Sequence, residues 1–209
     1  MKICAVSDLH GFFPVLKSGD LLIVAGDCTT VDRPKDWLKF FEWFAYQDYR
    51  KKILVAGNHD NYLITVIPGD FGGFEYLEDT GTEFEGYKIW GSPWTLDFKE
   101  CNLHCKAFTG TEKELKTHFD NIPTDTDILV THSPPLGCLD LNAVNIPCGS
   151  RSLKDRSLIV QASVHVFGHI HEQGACSHNK EFGSYYNCSI MNERYKPLNP
   201  PTYIELRDL

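Results

Sequence analysis

The 209-residue sequence predicts a layered α/β fold, and two observations carry that prediction. Five short apolar runs rich in β-branched residues lie at 3–6, 21–25, 53–56, 128–131 and 164–167. Because each run is continuously apolar rather than alternating, it is typical of a strand buried on both faces. Segments with helical periodicity separate several of these runs, and that alternation favours a sheet covered by helices.

Two helices are predicted between the strands. The first is expected to begin near Pro34 and Asp36, residue types that favour a first helical turn. Its aromatic residues then recur at helical spacing, at Trp37, Phe40, Phe41 and Phe44. Such a stripe is more often core than binding surface. A second, shorter helix is expected after Thr111 and Glu112.

Further strands are expected at three other places in the chain. The segments 83–90 and 185–189 have strand composition, and the tail NPPTYIEL predicts a proline-rich loop that leads into a last strand. The chain length suits one domain of about 100–200 residues. Because no internal repeat or linker separates the segments, we expect a single domain over residues 1–209.

Charge and hydropathy exclude several classes of function. The chain has 20 basic and 28 acidic residues, a net charge of −8, which argues against broad binding to long nucleic acids. A small anionic substrate is compatible with this charge if a metal cation supplies the attraction. No apolar run approaches the roughly 20 residues of a membrane span, and the start of the chain does not resemble a signal peptide. We therefore expect a cytoplasmic protein without a membrane partner.

The eight cysteines are scattered rather than paired, so we expect reduced thiols. One cluster, Cys101, His104 and Cys105, has the residue types of a structural zinc site. A tetrahedral site needs four ligands, and no second pair stands nearby at the usual spacing. The role of this segment stays open at the level of sequence.

Metal-binding side chains follow each of the five predicted strands. They are Asp8 and His10; Asp27; Asn58, His59 and Asp60; His132; and His169 with His171. In open α/β sheets the carboxyl ends of the strands form a crevice, so these distant residues are expected to converge there. Each block alone also fits a turn or a helix cap. Gly-His-x-His is more specific, because two imidazoles one residue apart on an extended segment point the same way.

The blocks resemble the motifs of the calcineurin-like metallophosphoesterase superfamily. Its pattern of D-x-H, G-D-x-x, G-N-H-[DE], H and G-H-x-H is matched by DLH, GDCT, GNHD, His132 and GHIH. The stretches SGDLLIVAGDCT, YKIWGSPWT and DTDILVTHSPPLGCLD are similar to the metallophosphoesterase-domain (MPPED) phosphodiesterases. This likeness extends from about residue 1 to about residue 206, and the segment CNLHC fits it least well.

The resemblance implies a β-sandwich of central sheets flanked by helices, with a dinuclear metal centre at the C-terminal ends of the strands. One metal would be held by Asp8, His10, Asp27 and His171. The second would share Asp27 as a bridge and would also be held by Asn58, His132 and His169. Two divalent ions are implied, with Mn²⁺ expected first and iron or Zn²⁺ as alternatives, because the ligands are nitrogen and oxygen without thiolate.

The chemistry expected of such a centre is attack on phosphorus by a bridging hydroxide, because two ions polarise the phosphoryl group and acidify a shared water. By resemblance, Asn58 and His59 contact the substrate and His59 protonates the leaving alkoxide. Asp60 is expected to orient or charge His59, although a helix cap explains this residue equally well.

The substrate expected from the resemblance and the acidic composition is a small phosphodiester, such as a 2′,3′- or 3′,5′-cyclic nucleotide. Five aromatic residues near the motif loops could stack on a base or belong to the core: Phe12, Phe13, Tyr62, Trp94 and Phe98. Phosphomonoesterase, protein phosphatase or nuclease activity would use the same centre. A non-catalytic scaffold is the alternative of a different class, and it predicts substituted ligands, which the sequence does not have.

Overall fold

A computed structural model describes residues 1–65, 73–97, 105–180 and 183–206. Its strands are β1 (Lys2–Val6), β2 (Gly19–Ala25), β3 (Tyr49–Val55), β4 (Glu75–Tyr76), β5 (Thr80–Phe84), β6 (Tyr87–Ser92), β7 (Thr95–Leu96), β8 (Thr109–Gly110), β9 (Ile128–Thr131), β10 (Val164–Phe167), β11 (Cys176–Lys180), β12 (Gly183–Asn187) and β13 (Thr202–Glu205). Its helices are α1 (Pro34–Ala45), α2 (Tyr62–Thr65), α3 (Glu112–Phe119) and α4 (Arg151–Val160), with a 3₁₀ turn at His171–Gln173.

Two sheets form the centre of the fold. The first has the order β13-β1-β2-β3-β4, and the second has the order β11-β12-β10-β9-β6-β5. The inner strands of both sheets are parallel, while β13, β5 and β11 pair antiparallel at or near the edges. Because the inner strands are parallel, their carboxyl ends lie along one edge of each sheet.

The sheets pack face to face on a shared apolar core. Ile3 and Ile23 of the first sheet lie in the same cluster as Ile128 and Val166 of the second. Alternate residues such as Val6 point to the opposite face, where they pack on a helix. This arrangement confirms the prediction of strands buried on both faces. The single domain over residues 1–209 stays a prediction.

Helices cover both outer faces, so the layers run helix, sheet, sheet, helix. On the first sheet, α1 buries its aromatic stripe, including Trp37, Phe40 and Phe44. On the second sheet, Leu115 of α3 and Leu153 of α4 pack in one cluster. The helix expected after Thr111 and Glu112 is α3, and it starts with a capping box, since Thr111 and Glu114 bond to each other's backbone amides. The sequence prediction of a layered β-sandwich flanked by helices is confirmed.

Besides the short elements α2, β4, β7 and β8 and the strand β11, which were not predicted, three elements differ from the sequence prediction. The segment 83–90 is not one strand but part of a hairpin, in which Glu85 and Gly86 turn with φ of 51° and 82° between β5 and β6. β3 begins four residues before the apolar run, because Lys52 is buried and bonds the carbonyls at the end of α1. Helix α4 is missing from the prediction, because it buries a serine, Ser157, on a face with only two apolar residues.

No disulfide joins the described cysteines to one another; they are Cys4, Cys28, Cys105, Cys138, Cys148, Cys176 and Cys188. Cys101 and His104, from the candidate zinc cluster, lie outside the described residues, as does Phe98. Among the residues that the structure describes, no helix has the length and apolar character needed to cross a membrane.

Candidate metal centre

The loops that follow five strands meet at one edge of the sandwich. The loop after β1 lies along the loop after β2, since the Asp8 amide donates to the Gly26 carbonyl at 2.9 Å and the His10 amide donates to the Asp27 carbonyl at 3.0 Å. In the second sheet, the Gly168 amide donates to the His132 carbonyl at 3.0 Å. Backbone hydrogen bonds between neighbouring loops therefore fix the positions from which the polar side chains project.

The glycine in each motif makes room for a neighbouring polar residue. A Cβ atom at Gly57 would lie 2.3 Å from Asp27 Oδ1, and one at Gly168 would lie 2.2 Å from Asp8 Oδ2. At Gly26, where φ is +96°, a Cβ would lie 2.4 Å from the His132 Nδ1 atom. Because no side chain fits at these distances, the glycines are required for the close approach of the loops.

Four of the polar residues have left-handed backbone conformations. The φ angles are 52° for Asp8, 41° for His10, 56° for Asp27 and 67° for His169. For residues with a Cβ this conformation costs roughly 1–2 kcal/mol each. Backbone strain of this kind concentrates at functional sites, where the surrounding structure maintains it.

The first group of candidate ligands consists of Asp8, His10 and His171, with nitrogen and oxygen atoms all within 4.8 Å of one another. The Asp8 Oδ1 atom lies 3.3 Å from His171 Nε2. Asp8 Oδ1 and His10 Nε2 are buried, and neither has a hydrogen-bond partner among the described residues. A buried polar atom without a hydrogen-bond partner costs free energy. A cation bound between these two atoms would satisfy both of them.

The second group surrounds the Asp27 carboxylate. His132 Nε2 lies 3.4 Å from Asp27 Oδ1 and 3.0 Å from Asn58 Oδ1. The His169 ring lies 5.0 Å from the His132 ring, centre to centre. His132 Nδ1 lies 2.8 Å from the Ala25 carbonyl, which fixes the ring and directs Nε2 toward Asp27.

Asp27 also contacts the first group, because its Oδ2 atom lies 3.8 Å from His10 Nε2. Its two oxygens therefore point toward different groups, as a bridging ligand requires. Carboxylate, amide and imidazole donors suit a divalent transition metal, so the residues fit the metal that the fold implies.

Burial opposes the charged form of each group, and neighbouring charges decide the result. Although burial raises the pKa of Asp27, the adjacent His132 and His59 hold that pKa well below its ordinary value. Burial lowers the pKa of His132, but the Asp27 carboxylate raises it to about 10. Burial prevails at His10 and His169, whose pKa values fall to about 4 and about 3. Ionised carboxylates and neutral imidazoles are the forms that bind metals, so Asp27, His10 and His169 already have the binding form, whereas His132 would release a proton when a metal binds.

His59 lies beside the two groups at the edge of the cavity. Its backbone amide donates to Asp27 Oδ1 at 2.9 Å, and its Nε2 atom lies 3.8 Å from Asp27 Oδ2. Its ring meets the edge of the His10 ring at 4.8 Å. On the other side of the imidazole, Nδ1 lies 3.1 Å from the Sγ atom of Cys105. His59 is partly exposed and lines the cavity, as a group that contacts substrate would.

Asp60 has a different set of contacts from the one expected. Its buried carboxylate accepts hydrogen bonds from the backbone amides of Asp27 at 2.8 Å, Cys28 at 3.0 Å and Gly57 at 2.8 Å. The expected bond that would orient His59 is therefore replaced by bonds to two loops. Burial and the charge of Asp27 raise the pKa of Asp60, and the hydrogen bonds from the Gly57 and Cys28 amides oppose that shift. The contacts indicate a structural role: Asp60 joins the loop after β3 to the loop after β2.

A cavity of about 320 Å³ opens over the candidate ligands. Besides Asp27, Asn58, His59, His169 and His171, its lining includes Cys105, which the sequence marked only as part of a candidate zinc cluster. It also includes residues that sequence reasoning missed: Leu96, Asp97, Thr109, Asn142, Ile170, Glu172, Glu193 and Tyr195. The Tyr195 ring contacts the His10 and His171 rings edge-on, at 4.9 and 4.8 Å. No motif marks Tyr195, because a loop between β12 and β13 brings it to the site.

Of the aromatic residues proposed from sequence as a base platform, Phe13, Tyr62 and Trp94 pack against the core, whereas Phe12 is exposed and Phe98 lies outside the described residues. Phe13 stacks on Trp43, and Tyr62 stacks on Trp37. Trp94 stacks on His118 at 3.6 Å between ring centres. These residues are close to the motif loops in sequence, but their rings do not line the cavity, because each packs against the apolar core. Among the described residues that line the cavity, the one phenylalanine, tyrosine or tryptophan ring is that of Tyr195.

Comparisons with known proteins agree with this architecture. The family model for calcineurin-like phosphoesterases matches residues 1–173. The chain is 32% identical to metallophosphoesterase domain-containing protein 1 of Homo sapiens, over 98% of this chain and 71% of that protein. The Mycobacterium tuberculosis phosphopantetheinyl hydrolase (PptH) structure has a TM-score of 0.67 at 17% identity, covering 97% of this chain and 95% of that one. The structure of TT1561 from Thermus thermophilus has a TM-score of 0.62 at 13% identity, covering 89% and 88%.

The two solved structures are similar to this chain in fold alone. The family match and the human relative go further, because they cover the motif loops whose side chains converge at the edge of the sandwich. On this evidence the chain belongs to the calcineurin-like phosphoesterase family of metal-dependent hydrolases.

Proposed function

We propose that this hydrolase is a phosphodiesterase that cleaves small phosphodiesters, with 2′,3′- and 3′,5′-cyclic nucleotides as the first candidates. The observation that carries the proposal is the pair of ligand groups that share Asp27 on the floor of a small cavity, with His59 at its edge. The cytoplasmic location expected from sequence stays a prediction.

Two divalent ions, Mn²⁺ first, are the proposed cofactors; when bound, they supply Lewis-acid polarisation of the phosphoryl group and an acidified water. Asp8, His10 and His171 would hold one ion, and Asn58, His132 and His169 the other. Asp27 would serve both, because its Oδ1 atom faces His132 and its Oδ2 atom faces His10. Asn58 is a neutral ligand, which leaves the centre more positive toward an anionic substrate.

His59 is the proposed acid of the reaction. Its Nε2 atom faces Asp27, where the phosphorus centre would lie, and its backbone bond to Asp27 Oδ1 keeps it there. A proton delivered from Nε2 would neutralise the departing alkoxide oxygen. General acid catalysis of this kind contributes about 10²–10⁴ in rate for a poor leaving group.

The cavity favours a small substrate over a long nucleic acid. Its volume of about 320 Å³ is near the lower end of ligand pockets, which hold roughly 300–1,000 Å³. Asp97, Glu172 and Glu193 lie in its lining, and the lining has no lysine or arginine among the described residues. Repeated phosphates would meet like charge there, so one phosphodiester group at the metals fits better than a polyanion.

Steady-state turnover with added Mn²⁺ tests the proposal on four substrates: 2′,3′-cAMP, 3′,5′-cAMP, bis(4-nitrophenyl) phosphate and 4-nitrophenyl phosphate. We expect preference for a diester, loss of turnover in Asp27→Asn, and normal turnover in Asp155→Asn, a matched change at an exposed aspartate. Preference for the monoester would make the protein a phosphatase with the same centre. Absence of turnover on all four, in protein that binds metal, would favour the scaffold alternative.

A further inference from the structure

We propose that Tyr195 is a positioning residue for one of the two metals: its ring holds the imidazoles of His10 and His171 in place. It thereby determines the metal affinity of the first ligand group and leaves that of the second group unchanged. The proposal rests on the two ions of the proposed function and does not depend on the identity of the substrate.

Three aromatic rings meet edge-on at the first ligand group. The centre of the Tyr195 ring lies 4.9 Å from that of His10, with an angle of 61° between the planes. It lies 4.8 Å from the centre of the His171 ring, with an angle of 77°. The His10 and His171 rings are themselves 5.3 Å apart. Because edge-on contact at such distances is favourable for aromatic rings, Tyr195 stabilises the observed orientation of both imidazoles at once.

The two ligand groups differ in what orients their imidazoles. In the second group, His132 Nδ1 lies 2.8 Å from the Ala25 carbonyl, and such a contact is the usual way in which a ligand ring is fixed. In the first group, His10 Nε2 is buried and has no hydrogen-bond partner among the described residues. Ring contacts with Tyr195 and His171 lie beside His10 instead. Loss of the Tyr195 ring should therefore loosen the first group and spare the second.

A tight turn over residues 192–196 presents the Tyr195 ring. The Tyr195 amide donates to the Asn192 carbonyl at 2.9 Å, and the Asn192 amide donates to the Lys196 carbonyl at 2.9 Å. Asn192 Oδ1 accepts from the amides of Arg194 and Lys196, each at 3.0 Å. These bonds maintain Tyr195 in a left-handed conformation with φ of 54°, which is unfavourable for a residue with a Cβ. Strain of this kind is maintained where the position of a side chain matters.

The loop that carries Tyr195 packs directly on the loop that carries His171. A Cβ at Gly174, three residues after His171, would lie 2.1 Å from Asn199 Nδ2. Asn199 Nδ2 also donates to the Met191 carbonyl at 2.9 Å, within the loop of Tyr195. The packing of the two loops therefore keeps the Tyr195 ring against the imidazole of His171.

The consequence for metal binding is preorganisation. A site whose ligands already have their bound orientation does not lose the free energy of ordering them when the ion binds. Without the Tyr195 ring, the ion itself would have to order His10 and His171. Changes to residues that orient metal ligands typically lower affinity about 10- to 100-fold, and two ring contacts correspond to roughly 5- to 100-fold.

Calorimetric titration with Mn²⁺ tests the proposal in two backgrounds that each keep one ligand group. His169→Ala removes a ligand of the second group alone, and His171→Ala removes a ligand of the first group alone. In the His169→Ala background, Tyr195→Ala should weaken Mn²⁺ binding roughly 5- to 100-fold. In the His171→Ala background, the affinity should change by less than about twofold. Equal weakening in both backgrounds, or none in the first, would overturn the proposal.

Electron paramagnetic resonance gives a second test with all the ligands in place. With two equivalents of Mn²⁺, the unchanged protein should give the spectrum of a coupled pair of ions. Tyr195→Ala should give the spectrum of a single protein-bound ion, because the first group stays unfilled at the same concentration. A coupled spectrum that survives in Tyr195→Ala would contradict the positioning role, and this holds even where the single-group backgrounds bind too weakly to titrate.

Three further variants separate the ring from a general effect on the fold. Tyr195→Phe keeps the ring contacts and should keep both Mn²⁺ affinities, so a loss in this variant would count against the proposal. Tyr46→Ala, at an exposed tyrosine after α1, is the matched control and should bind both ions normally. Asn192→Ala should weaken the first group through the ring, so it should have no added effect in Tyr195→Ala protein; an additive loss would contradict this role of the turn.

The metal titrations separate this proposal from the proposed function, because they need no substrate. If no diester is turned over but Tyr195→Ala weakens the first group, the proposed function fails and the positioning role stands. If Tyr195→Ala lowers the affinity for 3′-AMP while both Mn²⁺ affinities are unchanged, the ring is a substrate contact and the proposal is overturned. Binding of only one Mn²⁺ by the unchanged protein would overturn both the pair of cofactors and the role of Tyr195.

Discussion

Replacement of Asp60 by alanine tests the role that the structure gives this residue. In the folded protein its carboxylate accepts three backbone amides, from Asp27, Cys28 and Gly57. All three donors belong to buried residues, so water does not replace the lost acceptor. A buried donor left without a partner costs about 1–3 kcal/mol. Three of them, which are not fully additive, should lower the free energy of unfolding by roughly 3–6 kcal/mol.

Urea denaturation of metal-free protein, followed by tryptophan fluorescence, measures this loss. Metal is removed because a bound ion would add its own stabilisation to the folded state. With an m-value of about 2 kcal/mol/M, the midpoint should fall by roughly 1.5–3 M. Asp60→Asn should lose less, because its carbonyl oxygen still accepts. Asp155→Ala, at an exposed position on α4, is the matched control.

A midpoint for Asp60→Ala within about 0.5 M of the control would refute the reasoning. So would a variant of normal stability that slows only substrates with poor leaving groups. That second result would return Asp60 to the place beside His59 that sequence suggested.

Two further predictions follow from particular contacts. Gly57→Ala should weaken Mn²⁺ binding at least tenfold, because the new Cβ would lie 2.3 Å from Asp27 Oδ1 and would displace that carboxylate. Calorimetry measures the affinity, and far-UV circular dichroism should stay normal. An unchanged affinity would contradict the prediction. Glu112→Gln should lower the free energy of unfolding by about 1–2 kcal/mol at pH 7, because Glu112 accepts the Arg151 amide at 2.7 Å and the Ser152 amide at 3.0 Å at the start of α4. Although burial raises the pKa of Glu112, its bonds to Ser152 and these amides lower it from 4.5. The stabilisation is therefore present above pH 4.5 and lost below it, so urea midpoints of the two proteins should converge in acid; a constant difference would count against the assignment.

Much of the fold could be predicted from sequence because the central strands are buried on both faces. A continuously apolar run such as 128–131 allows few other structures, and it matches β9 to the residue. Elements at the margin gave weaker signals. Helix α4 buries Ser157, and the residue that caps its C-terminus, Gln161, has a left-handed conformation with φ of 54°, so neither its face nor its end carries the usual residues. The hairpin of β5 and β6 was predicted as one strand, because the residues on both sides of its turn, Glu85 and Gly86, have strand composition.

The candidate ligands were predicted because each stands directly after a buried strand, where a short motif fixes both the chain direction and the side chain. Sequence alone determined these residue types, their order and the sheet edge at which they meet. Only the tertiary structure decided the partners of these side chains: the Asp60 carboxylate on three amides, Cys105 beside His59 Nδ1 and Tyr195 over His10 and His171. The physical reason is that a motif is local along the chain, whereas hydrogen bonds and ring contacts depend on which loops the packing brings together. Those loops can be far apart in sequence: Tyr195 and His10 are separated by 185 positions.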